Sequence, residues 1–116
     1  MTAEIDSRLV RDAIRQISDT SQDLKKQLRQ MFERLEDNPS EFKPLDYVDS
    51  ELARQFPKVV FRKADLRHQK HDFRIVFAHG RRDEREFVKL LLAFDREDGW
   101  DINWDILRSD LGDEFP

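Results

Sequence analysis

The apolar period of this chain changes once, at Lys58, and that change constrains the fold more than any single motif. Before it, apolar residues return every three or four positions: Ile5, Leu9, Val10, Ala13, Ile14 and Ile17, then Leu24, Leu28, Met31, Phe32 and Leu35. This is the spacing of one helix face. No Gly or Pro occurs before Pro39, so the first 38 residues are free to be helical. Positions 10, 14, 17, 21, 24, 28, 31 and 35 also form one heptad register through Ser21, which leaves a single long helix as an alternative. Ser18, Asp19, Thr20 and Ser21 favour caps over helix interiors. We therefore expect two helices, the second opened by a capping-box variant of Thr20 and Asp23 and closed near Asp37 by Asn38-Pro39.

After Lys58 the period falls to two. KVVFRKADL is rich in β-branched and aromatic residues, and HDFRIVFAH alternates Phe73, Ile75 and Phe77 against Asp72, Arg74 and Val76. HGRRDERE reads as a turn around Gly80. FVKLLLAF follows as a strand apolar on both faces, hence central and covered on both sides. Residues 38–57 hold three of the four prolines and read as a connection, with one short helical turn capped by Asp49 or Ser50. The tail predicts a turn at Asp98-Gly99 and a short helix over Trp104 to Leu111. Helices followed by three strands on short turns argue an α+β domain with an antiparallel sheet. At 116 residues, this is a single domain spanning 1–116, long enough for one core but not two.

The chain is 40% charged, yet nine Phe and two Trp supply buriable area that argues against disorder. It has no Cys, which excludes a disulfide framework, a thiolate nucleophile and a Cys-based zinc site. MTAEIDSRLVRD lacks the basic and apolar regions of a signal peptide, and the longest apolar run, Leu90 to Phe94, is far too short to span a membrane. The expectation is a soluble, cytoplasmic protein without membrane contact. Charge is uneven along the chain: residues 1–61 net −2, residues 62–82 net +5 and residues 83–116 net −7. A local cationic block can bind phosphates in an acidic protein, because screening acts over only about 8–10 Å at physiological salt. The acidic C-terminal third neutralising it in space is the competing reading.

The block RHQKHDFRIVFAHGRR carries all three histidines. His68, His71 and His79 are not read as a metal site, since residues three apart on a strand face opposite sides and no Cys completes a ligand set. His68 or His71 could instead act as a general base, because histidine titrates near neutrality. Arg74 sits mid-strand, where its head must reach solvent, pair with Asp65 or Asp95, or face a phosphate. Arg62, Lys63, Arg67 and Lys70 lie on the preceding strand and turn and could converge on the same edge. No Gly-rich phosphate loop and no cofactor motif is visible.

The order DNPSEFKPL, VVFRKADL, HDFRIVFAHG and EFVKLLLAFDREDGW resembles the RelE/ParE/HigB superfamily of bacterial toxins from toxin–antitoxin pairs. The resemblance covers roughly residues 21–100, and its best single piece is Phe73-Arg74-Ile75-Val76-Phe77; residues 1–20 would be an extra N-terminal helix. It implies an N-terminal helix pair packed on a small curved antiparallel sheet. It also implies a metal-independent, cofactor-free mRNA endoribonuclease that acts on translated RNA at the ribosome and is held by a cognate antitoxin. Arg74 would contact the scissile phosphate, Arg96 would stabilise the transition state, and His71 would be the acid/base candidate. Arg62, Lys63, Arg67, His68, Lys70 and Trp100 would bind RNA. The chain departs from the pattern in its acidity, in DREDGWD after the last strand, and in having its only Tyr, Tyr47, outside the motif. Those departures keep open a non-catalytic binding or oligomerisation module with this fold, including a homodimer through the N-terminal helices. They also keep open a gyrase-targeting ParE-like protein and a nucleic-acid-binding accessory protein.

Overall fold

The computed structural model describes residues 2–96, 103–112 and 115. The chain opens with a short strand, β1 (Glu4–Asp6), and a 3-10 turn (Arg8–Val10) before the first helix, α1 (Arg11–Thr20). Ser21 breaks the heptad-patterned segment: its backbone is extended (φ −160°, ψ 157°), and its hydroxyl accepts from Leu24 N–H at 3.0 Å. It therefore caps the next helix, α2 (Gln22–Asp37), in place of the expected Thr20. The two-helix reading holds, and α2 ends where Asn38 precedes Pro39. The connection contains a 3-10 turn (Pro39–Glu41), a two-residue strand β2 (Lys43–Pro44) and helix α3 (Ser50–Gln55), whose cap is Asp49.

The β-hairpins follow as β3 (Val60–His68), β4 (His71–Arg82) and β5 (Arg85–Asp95), and α4 (Trp104–Leu111) is the last of the described elements. The sheet order is β1-β5-β4-β3-β2. It is mixed rather than wholly antiparallel, because β1 pairs parallel with β5 through Glu4↔Phe87, Ile5↔Val88 and Asp6↔Lys89. The expected turn around Gly80 is also displaced. Gly80 lies within β4 opposite Phe87, and the reversal falls on Asp83 and Glu84, both with positive φ (54° and 66°). Gly80 serves packing: a Cβ there would come within 2.8 Å of the Phe115 ring. The predicted turn at Asp98-Gly99 lies outside the described residues.

Two apolar clusters flank the sheet, where a single core was expected. Val10, Ile17, Leu24, Leu28, Met31 and Leu35 from the helices join Ile75, Phe77, Val88 and Leu90 on one face. Leu52, Phe56, Phe61, Ala78, Phe87, Leu91, Leu107 and Leu111 form the other. Strands sandwiched between helical layers must be apolar on both sides, and the run LysLeuLeuLeu in β5 reflects that. A bulge adjusts it: Val76 pairs with Leu92 but Phe77 with Leu90, leaving Leu91 unpaired and turned to the second cluster. No helix among the described residues is long and apolar enough to cross a membrane.

Candidate functional site

The pleat of β3 and β4 sorts the cationic block onto two faces. Lys63, Asp65 and Arg67 alternate with Arg62, Ala64 and Leu66, and directly paired residues across an antiparallel ladder share a face. Asp65 pairs with Arg74, Arg67 with Asp72, and Arg74 with Phe94 on β5. Lys63, Arg67, Arg74 and, just past β5, Arg96 thus gather on the face away from α1 and α2. Ala64, Leu66, Phe73, Ile75 and Phe77 point to the helix pair.

On the outer face the cations are engaged by carboxylates. Arg74 is only 7% exposed and donates from Nε to Asp65 Oδ1 at 2.9 Å. Of the two partners expected for it, Asp65 is the one in this bond. Arg67 Nε donates to Asp72 Oδ1 at 3.3 Å, and Arg96 Nη1 to Asp72 Oδ2 at 3.4 Å, so one carboxylate holds two guanidiniums. Lys63 Nζ lies 3.7 Å from Asp46. Lys70, in the tight turn between β3 and β4, follows Gln69, whose φ is +54°.

The helix-side face holds the histidines. His68 and His71 are cross-strand partners, so they share a face; the single-strand argument for opposite faces fails because the turn lies between them. They do not share a ligand. His68 Nδ1 is 3.1 Å from Asp23 of α2, whereas His71 Nδ1 is 3.5 Å from Asp95 and its ring stacks on Phe73. Gln27 Nε2 and then His68 hold the Asp23 carboxyl below its usual range. The Gln27 amide also donates to Arg67 C=O at 2.7 Å and accepts from Arg67 N–H at 3.1 Å, completing the β3 edge as a strand would. Among the described residues, no group of three or more His, Asp or Glu side chains could hold a metal ion.

Arg62 is separated from the other cations by the same alternation. Its Nε donates to His79 Nδ1 at 3.1 Å and its Nη1 to Phe42 C=O at 2.8 Å. Because Nδ1 accepts, the proton of a neutral His79 sits on Nε2, which donates to Glu86 at 2.5 Å. This chain ties β3, β4 and β5 to the connection after α2. Sequence reasoning did not identify Glu86, Asp72 or Asp23 as partners. Asp72 was readable from the hairpin register, but Asp23 lies 45 residues from His68 and has no local signal.

Of the expected site, Arg74, Arg96, Arg67 and Lys63 come together, while His71, His68 and Arg62 lie on the opposite face. Trp100 falls outside the described residues. Compared with known proteins, the chain matches no family model, no curated protein and no solved structure.

Proposed function

We propose that this chain is a non-catalytic binding module with a RelE-like fold, one that engages a partner through its surface and does not cut RNA. What supports the fold is the succession of helix pair, Asn-Pro connection and three antiparallel strands, the order on which the resemblance rests. The observation that carries the absence of catalysis is the split of the expected trio. Arg74 and Arg96 face away from the helices, whereas His71 packs beside Phe73 and Asp95 on the helix side. Transfer of a proton from a ribose hydroxyl needs the acid/base group within hydrogen-bond reach of the same phosphate that the arginines stabilise. A group on the other side of the sheet cannot supply it.

A second reading has its own support. Lys63 and Arg67 of β3, Arg74 of β4 and Arg96 just past β5 share one face, an arrangement that suits a phosphate track in a RelE/HigB-like toxin neutralised by an antitoxin. Asp65 and Asp72 would then have to yield their arginines to RNA. One experiment separates the two readings. The chain is expressed alone in bacteria, and mRNA on translating ribosomes is mapped for new ends. The binding reading expects normal growth and no new ends, from both wild type and Arg74→Ala. Growth arrest with cleavage that Arg74→Ala relieves would overturn it in favour of the toxin.

A further inference from the structure

An aromatic and acidic surface lies on the side of the sheet away from α1 and α2, where the segment before α3 meets α4. Tyr47 is 67% exposed, and its ring meets that of Trp104 edge to face at a centroid distance of 6.0 Å. Ile106, also on α4, is 56% exposed. Tyr47 and Ile106 are thus large apolar side chains left exposed, beside Trp104, which is half-buried against the second cluster; a Tyr–Trp pair is the kind of rigid anchor that binding surfaces favour.

Carboxylates surround the rings. Asp46 precedes Tyr47, Asp105 follows Trp104, and Asp49 and Glu51 are drawn in by Arg108. Arg108 Nη2 lies 3.2 Å from Glu51 and 3.7 Å from Asp49, and its Nη1 lies 3.1 Å from Asp105. The one arginine fixes three acids in place without neutralising them all. The Glu51 and Asp105 side chains stay mostly exposed, and each ionised carboxylate retains further acceptor positions. Lys63 reaches Asp46 from β3, which leaves the cluster net negative.

We infer that the Tyr47–Trp104 surface docks a lysine- or arginine-rich segment of a partner protein. Guanidinium or ammonium groups would lie over the exposed Tyr47 ring, where the aromatic quadrupole attracts them, and donate to Glu51 and Asp105 at the rim. Charge complementarity selects this occupant. A second copy of the chain offers a poorer match through its sheet face, because Arg67, Arg74 and Arg96 there are already engaged by Asp65 and Asp72. The inference stands whether or not the chain acts on RNA, since this surface shares no residue with the Arg74 set except Lys63 at its margin.

The test measures fluorescence anisotropy of a short labelled Arg/Lys-rich peptide titrated with the full chain, alongside a Glu-substituted control peptide. Saturable binding of the basic peptide alone, weakening as salt rises, is expected. Tyr47→Ala should weaken it roughly tenfold, Tyr47→Phe should retain it, and Asp105→Asn should weaken it by several fold. Tyr47 is exposed, so loss of folding is not expected in Tyr47→Ala, and circular dichroism checks this. Absence of saturable binding would overturn the inference, as would equal affinity in Tyr47→Ala. Concentration-dependent self-association abolished by Tyr47→Ala would overturn it in favour of a second copy.

Discussion

Asp6 shows how one carboxylate can secure an edge strand too short to hold itself. It receives hydrogen bonds from the Arg8 backbone N–H at 3.1 Å and side chain at 3.0 and 2.8 Å, and Lys89 of β5 stands 4.0 Å away. The Arg8 side chain above all holds its carboxyl at about 2, against an ordinary value of 3.8. A depressed folded-state value means that the group contributes stability above the ordinary value and loses it as pH falls toward 2. Arg8 is largely exposed, so solvent screening limits the contribution to on the order of 1 kcal/mol. We therefore expect Asp6→Asn to lower the melting temperature at pH 6 and to converge with wild type near pH 2. A constant offset across that range would show that the pairing contributes nothing. Arg74 teaches a related lesson at this scale. Its neighbours Phe73 and Ile75 mark it as a mid-strand cation, and the sequence narrows its partner to Asp65 or Asp95; the hairpin register places Asp65 opposite it. The destination of Arg62 was legible only through its parity, and the link from its partner His79 on to Glu86 was not, because that contact needs the β4–β5 register.

At the scale of elements, long periodic segments were readable and short ones were not. The breaks at Ser21 and Asn38-Pro39, the strand alternation and the last helix follow from local chemistry. β1 does not: the period counted Ile5 with the first helix, whereas pairing with β5 makes Glu4–Asp6 a strand and α1 begins only at Arg11. The β4–β5 turn was misplaced because Gly80 drew the reversal toward itself, whereas the real turn uses Asp83 and Glu84 in left-handed geometry. A two-residue hairpin loop with positive φ at both positions favours Asn-Gly or Asp-Gly, so Glu84 is strained where glycine would not be. Glu84→Gly should therefore stabilise the protein by about 0.5–1 kcal/mol despite the added chain entropy, measurable as a higher denaturant midpoint at unchanged slope. Gly80→Ala should act in the opposite sense, since the Phe115 ring would have to leave its seat.

Across the whole molecule, the heptad stripe had two possible destinations, a partner helix or the chain's own sheet. In this fold it is buried internally: Val10, Ile17, Leu24, Leu28, Met31 and Leu35 lie in the same cluster as Ile75, Phe77, Val88 and Leu90. A homodimer through α1 and α2 would have to use their charged outer faces, which a 3.5-residue apolar repeat does not provide. Sequence alone could not decide this, because the period of a helix face states that it is covered and not by what. A charge placed at Leu28 distinguishes the two arrangements. At a dimer seam, Leu28→Asp would separate the subunits and leave folded, soluble monomers. Within an intramolecular core it buries a carboxylate among Leu and Phe side chains and forfeits their packing, at a cost of about 3 kcal/mol or more. Against a domain stability of about 5–15 kcal/mol, that removes a large share of the margin. We expect Leu28→Asp to show a markedly lower melting temperature, with a sedimenting mass unchanged from that of the wild type, measured against a chain mass of 14.0 kDa. A variant that melted like wild type while halving the sedimenting mass would instead assign the stripe to a subunit interface.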